Sequence, residues 1–181
     1  MDTVGFLELS SIAGGIEAAD YMVKAAQVTL VYARASCPGK YYIMINGTVS
    51  GVTNAIKQGI AMAGEFLVSS LILPGIDPQV IKAVNMSSMP EKFAAIGVLE
   101  FYNVTNALLA ADAAVKDASV ELIDVRLGTG IGGKSFVALT GDTASVTSAV
   151  RAAAESQRES GMLVNKIVIP NPDKEVVASL L

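Results

Sequence analysis

The chain contains no histidine, no tryptophan and one cysteine, Cys37. Without histidine the commonest general base and metal ligand are missing, together with the Ser-His and Cys-His nucleophile pairs, which sets conventional hydrolase chemistry aside. A lone cysteine excludes an internal disulfide framework and any multi-cysteine metal site within one chain, and it fits a reducing cytosol. Charge is also scarce, at 17% of 181 residues with a net charge of −4. Nucleic acid is therefore not an expected partner, because its binding needs clustered Lys and Arg to displace counterions. Long hydrophobic runs are absent as well. A bilayer span needs about 18 or more uncharged apolar residues, and the apolar stretches here are broken by Glu8, Asp20, Glu65, Glu100 and Asp112. No membrane is expected as a partner. The opening Met1-Asp2-Thr3 lacks the basic start of a secretory signal, so the expected location is cytoplasmic.

What the chain has in excess is apolar surface, with 52% hydrophobic residues. That content offsets ordering entropy and rules out a disordered chain. It also exceeds what a monomer needs, and burial against copies of itself is the expected destination. The length suits one ordinary domain or two small ones.

Self-similarity decides between them. Val4-Gly5-Phe6-Leu7-Glu8-Leu9 recurs as Ile96-Gly97-Val98-Leu99-Glu100-Phe101, and the segment Ala18 to Ala26 recurs as Ala110 to Ala118. Further on, Arg34 pairs with Arg126, Gly39-Lys40 with Gly133-Lys134, Gly47 with Gly141, Leu67-Val68 with Leu163-Val164 and Pro74 with Pro170. Two homologous domains follow, over residues 1–88 and 93–181.

Periodicity predicts the same elements in each copy. Val4 to Leu9 reads as a buried strand, followed by Ser10-Ser11 as caps and a helix over residues 12–26 whose counterpart starts at Thr105 or Asn106. Residues 28–33 and 41–45, rich in Val, Ile and Tyr, read as strands joined by Ser36-Cys37-Pro38-Gly39, with counterparts at 121–127 and 135–140. A second helix spans about residues 50–66 and again 145–160, where Gly161 is placed as a stop. Strands at 67–73 and 163–169 end in proline, and Asp77-Pro78 and Asn171-Pro172 open short terminal helices. The expected fold is an α/β (α+β) sandwich built from tandem β-α-β-β-α-β units, with helices on one sheet face.

Gly128-Thr129-Gly130-Ile131-Gly132-Gly133-Lys134-Ser135 satisfies both GxxxxGK[ST] and GxGxxG as text. A phosphate loop must open a helix, whereas a strand is expected next, and the equivalent loop Cys37-Pro38-Gly39-Lys40 carries a proline. A tight turn passing close to another backbone is the alternative. The glycosylation patterns at Asn46, Asn85 and Asn103 are short and carry no weight. Glu8 and Glu100 occupy equivalent places in apolar strands; general acid chemistry is conceivable there, but their recurrence favours a structural hydrogen-bonding role. Cys37 falls in a turn, so an exposed thiol is expected rather than a small buried hydrophobe. Closed rotational symmetry would bring the same cysteine of every copy to one axis.

The repeated unit resembles a bacterial microcompartment shell domain. The resemblance rests on Gly5 to Leu9, the segment Glu17-Ala18-Ala19-Asp20-Tyr21-Met22-Val23-Lys24-Ala25-Ala26, the glycine-containing loop before Tyr41, Gly47 and the endings at Pro74 and Pro170. It covers both halves in unpermuted order. Cys37-Pro38-Gly39-Lys40 and Gly130-Ile131-Gly132-Gly133-Lys134 are most similar to the T-type tandem shell proteins of propanediol-utilisation compartments. The resemblance implies a structural protein and not an enzyme. It implies a homotrimer forming a flat pseudohexagonal tile in the microcompartment shell, packed edge to edge with other shell proteins around enzyme cargo. Ser36, Pro38, Gly39, Thr129, Gly130, Ile131 and Gly132 would line a central pore. In the T type the pore cysteine of three chains binds one 4Fe-4S cluster on the three-fold axis, and Cys37 stands at that position. Three thiolates would leave one iron with another ligand. The implied role is electron transfer or cluster passage across the shell, with encapsulated redox enzymes as partners. Lys24 and Lys116 match the family's tile-edge lysine, whereas the basic residue between two prolines is replaced by Asn171. The alternative is a cluster-free tile whose pore conducts small metabolites.

Overall fold

Thr3–Leu9 (β1) and Ala95–Phe101 (β5) are the inner strands of two four-stranded antiparallel sheets. The computed structural model describes residues 3–180. In the first sheet β1 lies between Lys40–Gly47 (β3) and Leu67–Pro74 (β4), with Val28–Ser36 (β2) outside β3. In the second sheet β5 lies between Ser135–Gly141 (β7) and Leu163–Pro170 (β8), with Glu121–Leu127 (β6) outside β7. The helices are Ile12–Ala25 (α1), Val49–Ala63 (α2), Pro78–Val84 (α3), Val104–Asp117 (α4), Thr143–Ser156 (α5) and Lys174–Ala178 (α6). Each repeat thus runs β-α-β-β-α-β, as its hydrophobic periods predict. Among the described residues no helix is long and apolar enough to cross a membrane.

Alternation sorts each sheet into two faces. In the first, Leu7, Leu9, Ile43 and Ile45 pack with Met22, Val52 and Ile56 from the two helices. Glycine sets the distance of that approach: a Cβ on Gly5 would stand 2.8 Å from side-chain carbons of Val52 and Ile56, and one on the equivalent Gly97 2.6 Å from Val150. The opposite face carries Phe6, Glu8 and Tyr42, all buried, with the Phe6 and Tyr42 rings 5.7 Å apart.

Several boundaries move, each for a local reason. The fourth helix starts at Val104, ahead of the expected Thr105, because Asn103 is its cap and accepts the Asn106 N–H at 3.1 Å. The second strand continues through Ser36, which pairs with Lys40, so the turn contracts to Cys37, Pro38 and Gly39. The long helices end at Ala63 and Ser156 and tighten into single 3-10 turns, Gly64–Phe66 and Arg158–Ser160, before Gly161 stops the latter at φ 66°. The last helix is capped by Asp173 rather than Asn171.

The chain divides into two compact units, the first up to Ile76 and the second from Asp77. Residues 77–88, attached to the first domain by the repeat, pack within the second unit. Asp112 accepts the Asp77 N–H at 2.9 Å, Gln79 accepts the Leu122 N–H at 3.2 Å, and the Ser88 hydroxyl donates to the Leu122 carbonyl.

Candidate functional site

The loops between the second and third strands of each repeat carry the residues singled out above. In the first unit the β2–β3 ladder closes at Ser36 and Lys40. Cys37 stands half-exposed at the start of the turn as a free thiol, its bond to Pro38 is cis, and Pro38 and Gly39 are exposed. Gly39 takes φ 77°, a left-handed conformation in which a side chain is strained. Ser36 does not share this exposure; it lies 8% exposed at the end of the strand.

A partly buried ion pair anchors the base of the turn. The Lys40 ammonium meets Glu8 Oε1 at 2.6 Å, and Glu8 Oε2 accepts the Ser69 hydroxyl at 2.8 Å. Lys40 thereby joins the loop to β1, and through Ser69 to β4. The second unit repeats the device more loosely, with Lys134 Nζ 3.0 Å from Glu100 Oε1. Glu8 is only 2% exposed, whereas the Glu100 side chain is 37% exposed. Both halves of this pair recur in the sequence, Glu8 as Glu100 and Lys40 as Lys134; the missed signal was that they recur together.

Burial pushes the Tyr42 phenol up to about 12. Beneath the turn Tyr42 therefore stays protonated across the physiological range, so the nearby ionic pair is Lys40 with Glu8.

The second loop, residues 128–134, is longer and glycine-rich. Gly128, Gly130, Gly132 and Gly133 all have positive φ, and the Thr129 N–H closes on the Leu127 carbonyl at 2.7 Å. Thr129, Gly130 and Gly132 are exposed and Ile131 is half-exposed. The nucleotide-loop pattern fails here on geometry. It opens β7 and not a helix, its lysine is engaged by Glu100, and the Ser135 hydroxyl donates to the Asn103 carbonyl.

Lys24 and Lys116 occupy the last turns of α1 and α4, where a cation complements the helix dipole. Each pairs with the aspartate one turn earlier, Asp20 at 2.6 Å and Asp112 at 2.5 Å. The Asp20 carboxylate beside Lys24 raises its pKa above the usual lysine value, so the ammonium stays charged. Among the described residues no group of three or more Cys, Asp or Glu side chains is placed to hold a metal ion within one chain.

The BMC domain family matches residues 3–76 and 95–172, once in each repeat. The chain belongs to the BMC domain family. The bacterial microcompartment shell protein PduT of Citrobacter freundii is 42% identical over 173 residues, spanning 96% of this chain and 94% of that protein. The carboxysome assembly protein CcmO of Synechococcus elongatus is 28% identical, over 98% of this chain and 68% of its own length. The crystal structure of a microcompartment protein from Desulfitobacterium hafniense matches with TM-score 0.95 and 44% identity, over 98% of this chain and 99% of that one. With its BMC domains in tandem and unpermuted, this is a structural shell protein of a bacterial microcompartment and not an enzyme.

Proposed function

We propose that the protein is a homotrimeric, pseudohexagonal shell tile whose β2–β3 and β6–β7 loops surround a central pore, and that Cys37 from three copies holds one 4Fe-4S cluster on the axis. The observation that carries this reading is the placement of the chain's single thiol. Cys37 is half-exposed on a short turn whose base is tied down by Lys40, Glu8 and Ser69.

The donor set suits a cluster shared between chains. Iron–sulfur clusters take thiolate ligands, normally four, and one chain offers a single cysteine and, among the described residues, no group of three or more Cys, Asp or Glu side chains that could hold a metal ion. A three-fold ring supplies three thiolates, because the second repeat's loop has no cysteine. One iron would then take a ligand from another source. When bound, the cluster supplies one-electron transfer across the shell, or itself passes between the two sides. The chain's own residues do the positioning. Gly39 turns the chain back beside Cys37 without a side chain, and the Lys40–Glu8 pair restrains the loop. Thr129 and the exposed glycines of the other loop would line the remaining circumference. Lys24 and Lys116 serve the tile edge, where other shell proteins adjoin.

The test is iron and acid-labile sulfide per trimer in anaerobically purified protein, beside Cys37→Ser. About four irons per trimer, absent in the variant, is the expected result. A trimer that stays free of metal after reconstitution would leave a tile whose pore passes small metabolites, with Cys37 merely lining it.

A further inference from the structure

The two repeats set one sheet position between the same two neighbours and fill it with side chains that differ by a hydroxyl. On β3, Tyr42 stands opposite Glu8 of β1 and Arg34 of β2. On β7, Phe136 stands opposite Glu100 and Arg126, the counterparts of those two residues. A bare ring therefore satisfies the sheet at this place, and the Phe6 and Tyr42 rings pack 5.7 Å apart without help from the hydroxyl. The repeat that has the tyrosine is also the repeat that has the thiol. Cys37 lies in the turn before β3, whereas the loop before β7 has no cysteine.

That hydroxyl is buried at a cost. Tyr42 is 0% exposed, and its oxygen has no hydrogen-bond partner among the described residues. A donor taken out of water without an acceptor loses its solvation and gains nothing in return, so a group of this kind calls for a role. The carboxylate opposite it is occupied, Glu8 Oε1 by the Lys40 ammonium at 2.6 Å and Oε2 by the Ser69 hydroxyl at 2.8 Å. The cysteine turn is the remaining neighbour. Ser36 pairs with Lys40 and Glu8 with Tyr42. Opposed residues, and residues two apart on a strand, share a face, so these four side chains lie on one side of the sheet. Cys37 follows Ser36 directly, and with Glu8 and Tyr32 it is one of the groups whose charge acts on the Tyr42 phenol.

From this we infer that Tyr42 is a positioning residue for the iron–sulfur group: its hydroxyl donates a hydrogen bond to the Cys37 sulfur of the loaded tile and raises the reduction potential. The inference rests on the cluster reading above and adds a regulator of that site. A thiol sulfur is a weak acceptor, whereas a thiolate bound to iron carries charge and accepts more strongly. Hydrogen bonds to the sulfurs are among the levers that set a cluster's potential. Reduction adds one electron and one negative charge, so a donor beside the sulfur stabilises the reduced form more than the oxidised one. Tyr42 itself gives up neither a proton nor an electron. In a three-fold ring each thiolate has its own Tyr42, while the second repeat sets Phe136 after a loop without sulfur.

Spectroelectrochemical titration of the reconstituted trimer, with dithionite as reductant, tests it on wild type, Tyr42→Phe and Phe136→Tyr. Iron content, sedimentation and far-UV circular dichroism verify that each variant is folded, trimeric and loaded. Tyr42→Phe is expected to keep about four irons per trimer and to shift the midpoint to more negative potential. At a fixed poise the ratio of reduced to oxidised cluster falls about tenfold, which for one electron is about 59 mV. Phe136→Tyr is expected to leave the midpoint where it is. Resonance Raman spectra read the bond itself: reconstitution in heavy water is expected to shift the iron–thiolate stretch of wild type more than that of Tyr42→Phe. An unchanged midpoint in a loaded Tyr42→Phe trimer overturns the inference and leaves the cluster reading standing. So does a Tyr42→Phe chain that loses the trimer or its iron, because the hydroxyl then serves assembly or retention and not tuning. A wild-type trimer with no cluster after reconstitution overturns both.

Discussion

Glu8 and Glu100 occupy the same place in the two repeats but carry different energetic weight. Removing Lys40 leaves the Glu8 carboxylate, 2% exposed, with the Ser69 hydroxyl as its remaining donor. Breaking a buried pair on one side costs about 3–5 kcal/mol, whereas a pair as exposed as Lys134–Glu100 contributes about 0–1 kcal/mol. Lys40→Met should therefore lower the denaturation midpoint much more than Lys134→Met, and urea titration of the two variants checks the order. Tyr42 gives a pH signature. Its pKa is raised from 10.0 to about 12 in the fold, so the folded state holds the proton more tightly than the unfolded chain. Stability from this group is complete below pH 10 and is lost as pH rises toward 12. Tyr42→Phe should flatten the fall in melting temperature over that window. The recurrence of these residues was legible in the sequence. Their pairing was not, because Glu8 and Lys40 are brought together only by the β1–β3 register.

At the scale of elements, the strands were readable because β-branched and apolar residues alternate or run together between Gly and Pro. The errors lie where a polar residue has two uses. Ser36 reads as a turn residue but extends β2, since its partner Lys40 continues the ladder. Asn103 reads as part of a surface tripeptide but caps α4. α3 was legible from Asp77-Pro78, yet its seat on the second unit was not, because a local pattern does not name its receptor. Helix-to-sheet spacing yields a further test at Gly15. Alanine is favoured over glycine in a helix by about 1 kcal/mol, but a Cβ there would stand 2.4 Å from the Cβ of Tyr41. Overpacking typically costs 1–3 kcal/mol. Gly15→Ala should accordingly destabilise the first unit despite its better propensity, as measured by thermal melting.

At the scale of the whole molecule, the proposed trimer gives the apolar excess of the composition its outlet. Lys24 projects from the end of α1 with its side chain 71% exposed, and Lys116 is the equivalent on α4 at 47%. With Lys24 and Lys116 at the proposed tile edge, reversing their charge alters contacts between tiles and leaves the tile itself intact. Lys24→Glu with Lys116→Glu should retain the wild-type mass in dilute solution and lose any extended arrays that the wild-type protein forms at high concentration, as seen by negative-stain electron microscopy. In the proposed tile the copies form a ring with their single thiols on its axis. Native mass spectrometry of anaerobically purified protein tests it most directly. A ring of three copies should give one species at three times the chain mass carrying a single four-iron cluster, and its cluster-free counterpart in Cys37→Ser. A monomer, or a wild-type trimer with no cluster after reconstitution, would contradict it.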